Sequence, residues 1–115
     1  LKNSDPVRAP VPRRGRMNRT EAEYAGMLDQ IKAAGHIIEY GFERVKLRLA
    51  TGAWYCPDFD IRHPNGDVEF VEVKGGFIRE ASTVRLKVAA AQFPTCVFTL
   101  AQKKGGEWTA RRIEG

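Results

Sequence analysis

Residues 57–76 decide how this chain folds. They read Pro57-Asp58-Phe59-Asp60-Ile61-Arg62-His63, then the turn Pro64-Asn65-Gly66-Asp67, then Val68-Glu69-Phe70-Val71-Glu72-Val73-Lys74-Gly75-Gly76. A Pro-Asn-Gly-Asp turn between two runs of branched and aromatic residues predicts a tight antiparallel hairpin. Asn65-Gly66 lies midway between Asp58 and Glu72, so pairing sets these two carboxylates opposite each other on one face. Lys74 is two residues beyond Glu72 and shares that face. The run after the turn is too apolar at Val68, Phe70, Val71 and Val73 for an edge strand, which predicts a central position in the sheet.

Outward from the hairpin, the pattern predicts one α/β domain over residues 18–115. Tyr24, Met27, Leu28 and Ile31 recur at helical spacing, giving a helix from Asn18 to Ala34. Either Asn18 with Glu21 or Thr20 with Glu23 makes its capping box, and Gly35 stops it. A strand from Ile37 to Leu49, kinked near Gly41, and a second from Trp54 to Ile61 lead into the Val68–Lys74 strand. A second helix runs from Ser82 to Gln92, with Pro94 beyond its end. Val97–Leu100 follows as a short buried strand. Its helical crossover makes it parallel to the Val68–Lys74 strand. Trp108–Ile113 is a weaker last strand. The expected order is αβββαββ, a mixed β-sheet of about five strands flanked by helices.

The 115 residues suffice for one small domain. At 43% hydrophobic and 29% charged the composition is that of a soluble globular protein. No apolar run approaches the ~20 residues of a membrane helix, and no signal-peptide core opens the chain, so a cytoplasmic location and no membrane partner are expected. Cys56 and Cys96 are far apart, in no metal-ligand spacing, and read as buried thiols. Six of the 19 Lys and Arg residues fall within residues 1–19, against Asp5 as the one acid there. The formal net charge of +5 therefore resides in a basic arm, residues 1–17 and the start of the helix, on a neutral body. A Pro- and Arg-rich arm cannot build a core, and Arg13, Arg14, Arg16 and Arg19 are candidates for nucleic-acid phosphates.

The chemistry follows from the hairpin. A hard divalent cation takes oxygen ligands, neutralises a phosphodiester and lowers the pKa of bound water. Asp58 and Glu72 would be its carboxylate ligands, with the Val73 backbone carbonyl as another. Lys74 would orient or deprotonate the attacking water. At about 100° per residue, Glu21 flanks the core-facing stripe of the first helix and is the expected third carboxylate, with Glu23 kept as a cap or substitute. A charged pair inside an apolar strand is costly without a partner or an ion. Asp60 is an alternative ligand or a rim residue. His36 reads as a helix-end cation and His63 as an exposed turn residue. Arg79 and Lys87, beyond the Glu72–Lys74 strand, are candidates for substrate phosphates. Arg85 points away from Lys87. Trp54, Tyr55, Phe77 and Trp108 could stack on unpaired bases, with core or rim packing the favoured reading for all but Phe77, a loop aromatic.

Taken in order, Asn18-Arg19-Thr20-Glu21, Cys56-Pro57-Asp58-Phe59 and Val71-Glu72-Val73-Lys74-Gly75 resemble the PD-(D/E)XK nuclease superfamily. Within it, they are similar to phage endonuclease I-type Holliday-junction resolvases and related phage nucleases. The resemblance covers residues 18–100. It implies a restriction-endonuclease-like fold, Glu21, Asp58, Glu72 and Lys74 as the catalytic set, and Mg²⁺ or Mn²⁺ as cofactor. It also implies branched or duplex DNA as substrate, with 5′-phosphate and 3′-hydroxyl products. Symmetric cutting of two strands by so small a domain implies a homodimer. The competing expectations are a non-catalytic DNA-binding module, a ribonuclease, or a nicking nuclease subunit of a larger phage or transposition complex.

Overall fold

The computed structural model describes residues 16–50, 52–78 and 80–115. Most of the basic arm, including Arg13 and Arg14, and the candidate Arg79 lie outside the described residues. Helix α1 spans Arg19–Ala33. Of the two capping boxes the sequence allowed, it uses Asn18 with Glu21. The Asn18 Oδ1 accepts from the Glu21 amide at 2.7 Å, and the Glu21 Oε1 accepts from the Asn18 amide at 2.9 Å. At the other end Gly35 takes a φ of 84°, with the Gly35 amide on the Lys32 carbonyl and the His36 amide on that of Ile31. This is the pattern by which a left-handed glycine satisfies the last helical carbonyls. The buried line of α1 runs through Ala25 and Leu28, with Tyr24 packed beside them, while Met27 and Ile31 are 37% and 38% exposed. The apolar stripe is thus rotated away from Met27 and Ile31 relative to expectation.

Five strands form a mixed sheet in the order β1-β4-β5-β6-β7. They are β1 (Glu39–Phe42), β4 (Phe59–Arg62), β5 (Val68–Gly75), β6 (Val97–Lys104) and β7 (Glu107–Arg112). The apolar β5 is central, as its composition demands, antiparallel to β4 and parallel to β6. Helix α2 (Glu80–Gln92) makes the β5–β6 crossover. Two short strands, β2 (Leu47–Ala50) and β3 (Ala53–Tyr55), pair in a separate antiparallel sheet.

The architecture is therefore mixed α/β, but the order αβββαββ needs correction. Each of the first two expected strands is two strands in different sheets. Chain direction changes at Glu43, whose φ of 49° puts it in the left-handed region. That conformation is rare for a residue with a long side chain, and it ends the pairing of β1 with β4. The chain then leaves the sheet edge, turns at Gly52 (φ 78°) and returns through β3. Pro57, which has no amide proton to give a ladder, separates β3 from β4.

The sheet has an apolar core on each face. Phe59, Ile61, Val71, Val73 and Ala101 pack with Ala25, Leu28 and Ile37 on the α1 side. Phe70, Phe98, Leu100 and Ile113 pack with Leu86, Ala89 and Ala90 of α2 on the other, together with Tyr55 of β3 and the half-buried Val45, which precedes β2, and Leu47 and Leu49 of β2. Strand alternation fixes the consequence: with Val71 and Val73 toward α1, Glu72 and Lys74 project toward the face that carries Tyr55. Cys56 and Cys96 are in no disulfide among the described residues and are half-buried, less covered than expected. No helix among the described residues is long and apolar enough to cross a membrane.

Candidate active site

The site forms where β4 begins. Asp58 is the residue just before β4, and the register that pairs Phe59 with Val71 sets it opposite Glu72 when continued by one residue. There the Asp58 side chain replaces a backbone partner: its Oδ2 accepts from the Val73 amide at 2.8 Å. In a strand a residue's carbonyl points to the same edge as its amide, so the Val73 carbonyl is on the Asp58 side. The Asp58 carbonyl accepts from the Glu43 amide at 2.8 Å, which ties the left-handed turn to the site.

Carboxylate oxygens of Glu21, Glu43 and Asp58 all lie within 4.8 Å of one another, and all three residues are half-buried. Glu21 arrives from the other side of the sheet on the first turn of α1. A close approach holds that turn in place: a Cβ on Gly75 would lie 3.0 Å from the Thr20 Oγ1. Glu21 therefore does two jobs, closing the capping box and joining the carboxylate group. Glu23, the substitute considered from sequence, is elsewhere. It accepts from Lys103 and, at 3.0 Å, from the Trp108 indole N–H. The hydrogen bond from Lys103, then that from Trp108, hold its carboxyl below the usual range.

Glu72 and Lys74 stand beside this group as a pair, with Lys74 Nζ 3.3 Å from Glu72 Oε2. The other oxygen of Glu72 accepts from the Tyr55 hydroxyl at 2.6 Å. Tyr55 is 5% exposed, and burial, then the Glu72 charge, push its hydroxyl far up, so it stays protonated and can only be the donor in this contact. Glu72 is near enough to Asp58 to act on it. Burial pushes the Asp58 carboxyl up to about 7, and the charges of Glu72 and then Glu21 push the same way. The Val73 amide and Lys74 oppose them. Lys74 brings an ammonium to the edge of this group of carboxylates.

Asp60 is neither ligand nor rim residue. It is 3% exposed and held by Arg44 through two bonds of 2.9 Å, from Nε to Oδ1 and from Nη2 to Oδ2. Gly41 makes this pair fit, since a Cβ there would fall 1.8 Å from the Arg44 Nε. His63 is also not a free turn histidine: its Nε2 is 2.7 Å from Glu69 Oε1. His36 is exposed at the end of α1, Arg16 and Arg19 are exposed beside its start, and Lys87 is exposed on α2. Phe77 is 82% exposed, as a loop aromatic should be.

Sequence reasoning missed two residues at this site. Nothing in the spacing marks Glu43, because its place depends on a left-handed turn that glutamate seldom makes. Tyr55 carried a usable signal, since it alternates with Trp54 and precedes Asp58 by three residues.

No family model matches this chain, and no curated protein does. Its fold is similar to a solved structure described as "Crystal structure of SSO0001", with 16% sequence identity and a TM-score of 0.49 over 82% of this chain and 50% of that one. The chain thus spans half the length of that structure.

Proposed function

We propose that this protein is a metal-dependent endonuclease that hydrolyses DNA phosphodiesters. The observation that carries the reading is the meeting of Asp58, Glu21 and Glu43 within 4.8 Å, with the Glu72–Lys74 pair alongside. The three clustered donors are carboxylate oxygens, the chemistry that hard Mg²⁺ or Mn²⁺ prefers, and the Asp58 carboxyl is raised by burial first and then by the charges of Glu72 and Glu21. Asp58, Glu21 and the Val73 carbonyl would hold the cation, with Glu43 added to the expected set and Glu72 turning in from Tyr55 and Lys74. Bound there, the cation supplies charge neutralisation of the phosphate and an acidified water.

The chain's own groups do the rest. Among the described residues, Lys74 is the ammonium paired with this site's Glu72. It is placed to orient the attacking water and to offset charge on the phosphoryl oxygens. The Tyr55 hydroxyl donates to Glu72 Oε1, a bond that Glu72 gives up on turning in to the cation. Exposed Arg16, Arg19 and Lys87, with Arg13, Arg14 and Arg79, are proposed to meet backbone phosphates. The resemblance of the Glu21, Asp58 and Glu72-Val73-Lys74 motifs to Holliday-junction resolvases favours branched DNA, cut by a homodimer. One observation favours a second reading, a DNA-binding module without turnover: both oxygens of Glu72 are already engaged.

The test is one buffer and four substrates, a four-way junction, a duplex, a single strand and an RNA, with Mg²⁺, with Mn²⁺ or with EDTA. Metal-dependent incision of DNA, strongest on the junction, is expected. Binding without incision in Mg²⁺ and Mn²⁺ would establish the module instead.

A further inference from the structure

The β2–β3 hairpin has two unlike faces. Val45, Leu47, Leu49 and Tyr55 pack inward on the α2-side core, while Lys46, Arg48 and Trp54 are exposed. Trp54 is 51% exposed, an unusual exposure for the largest apolar side chain. Arg48 is its cross-strand partner, and Lys46 Nζ lies 5.8 Å from the centre of its ring. From Arg44 to Pro57 the chain carries three basic residues and no acid. Arg44 is neutralised by Asp60, so Lys46 and Arg48 are the cations left on the outer face.

We infer that this face is a binding platform for single-stranded DNA, with Trp54 stacking on an unpaired base and Lys46 and Arg48 meeting the flanking phosphates. An exposed aromatic ring flanked by cations, with no nearby carboxylate on its strands, is what a polyanion with flat bases requires. An acidic peptide would use the cations and leave the ring without a partner. A duplex end offers no unpaired base to stack. Trp54 also precedes Asp58 by four residues, at most ~13 Å of extended chain, so the platform lies near the carboxylates. The inference rests on reading the Asp58 site as one that acts on DNA, and it adds an unpaired strand, bound beside that site, to the branched DNA it would act on.

Binding is measured in EDTA, so that turnover plays no part. A Trp108→Phe variant leaves Trp54 as the sole tryptophan, and its fluorescence is followed on titration with oligo(dT), a blunt duplex of the same length, and poly-glutamate. Saturable quenching by oligo(dT), weaker with the duplex and absent with poly-glutamate, is expected. Trp54→Ala should weaken oligo(dT) binding about tenfold or more. Lys46→Ala and Arg48→Ala should each lower the slope of log K against log salt by about 0.7. Unchanged Trp54 emission, equal quenching by poly-glutamate, or a Trp54→Ala variant that binds normally would overturn the inference; a lowered melting temperature with unchanged binding would leave only a structural role for the ring. Quenching without incision in Mg²⁺ keeps the platform and rejects the nuclease. Incision without quenching does the reverse.

Discussion

The Tyr55 hydroxyl donates to Glu72 Oε1 at 2.6 Å while Lys74 stands 3.3 Å from the other oxygen of the same carboxylate. Glu72 is therefore held from both sides, in an apolar strand where an unpartnered charge would be costly. The donor comes from β3, a strand outside the main sheet, so the small hairpin is coupled to the site by one hydrogen bond. Tyr55→Phe removes that donor and little else. The fold should lose ~1–2 kcal/mol, the cost of a part-buried acceptor left without its partner, read as a lowered urea midpoint at constant m. Cleavage should fall more than DNA binding.

Asp58 makes stability depend on pH. Its carboxyl is raised from 3.8 in the ordinary state to about 7 in the fold, so the folded protein binds this proton more tightly than the unfolded chain. The stabilisation is complete below about 4 and is lost as pH rises through about 7. Asp58→Asn removes the charge and keeps the shape. At pH 8 it should be more stable to urea than the wild type, by as much as a few kcal/mol, and the difference should shrink toward pH 4. Added Mn²⁺ at pH 8 should raise the melting temperature of the wild type and leave Asp58→Asn nearly unmoved.

Arg44 and Gly41 should behave as one unit. Arg44→Ala leaves Asp60 buried and unpaired, at a cost of ~3–5 kcal/mol. Gly41→Ala puts a methyl group where the guanidinium lies, and the side chain can yield only by leaving Asp60. The two costs should be clearly less than additive in the double variant, measured by denaturant unfolding.

Lys74→Ala should lower the rate of incision by ~10²–10⁴-fold and leave binding to DNA in EDTA unchanged. Glu43→Gln tests the residue that only the fold reveals: metal-dependent incision should need a higher Mn²⁺ concentration for half-maximal rate, with the fold intact by circular dichroism.

Local signals were legible wherever one side of the chain decides its own conformation. The Asn18–Glu21 cap, the left-handed Gly35, the turn at Asn65-Gly66 and the apolar run of β5 are all written in short windows, and the register follows from the turn. Asp58 opposite Glu72 needed nothing more. Glu21 beside Asp58 depended on helical phase alone. The β2–β3 hairpin was not legible, because Val45, Leu47 and Leu49 alternate as well in a separate sheet as in a continuation of β1. What separates them is the backbone at Glu43 and the Arg44–Asp60 pair made through space. The same cause hid Glu43 from the candidate ligands. Gly41 read as a kink, whereas it is a space left for a guanidinium.

The most direct measurement is anomalous diffraction from crystals soaked in Mn²⁺. A peak among the carboxylates of Glu21, Glu43 and Asp58, reached by the Val73 carbonyl and absent in Asp58→Ala crystals, is the result this account predicts. Ordered side chains at those positions with no peak beside them would contradict it.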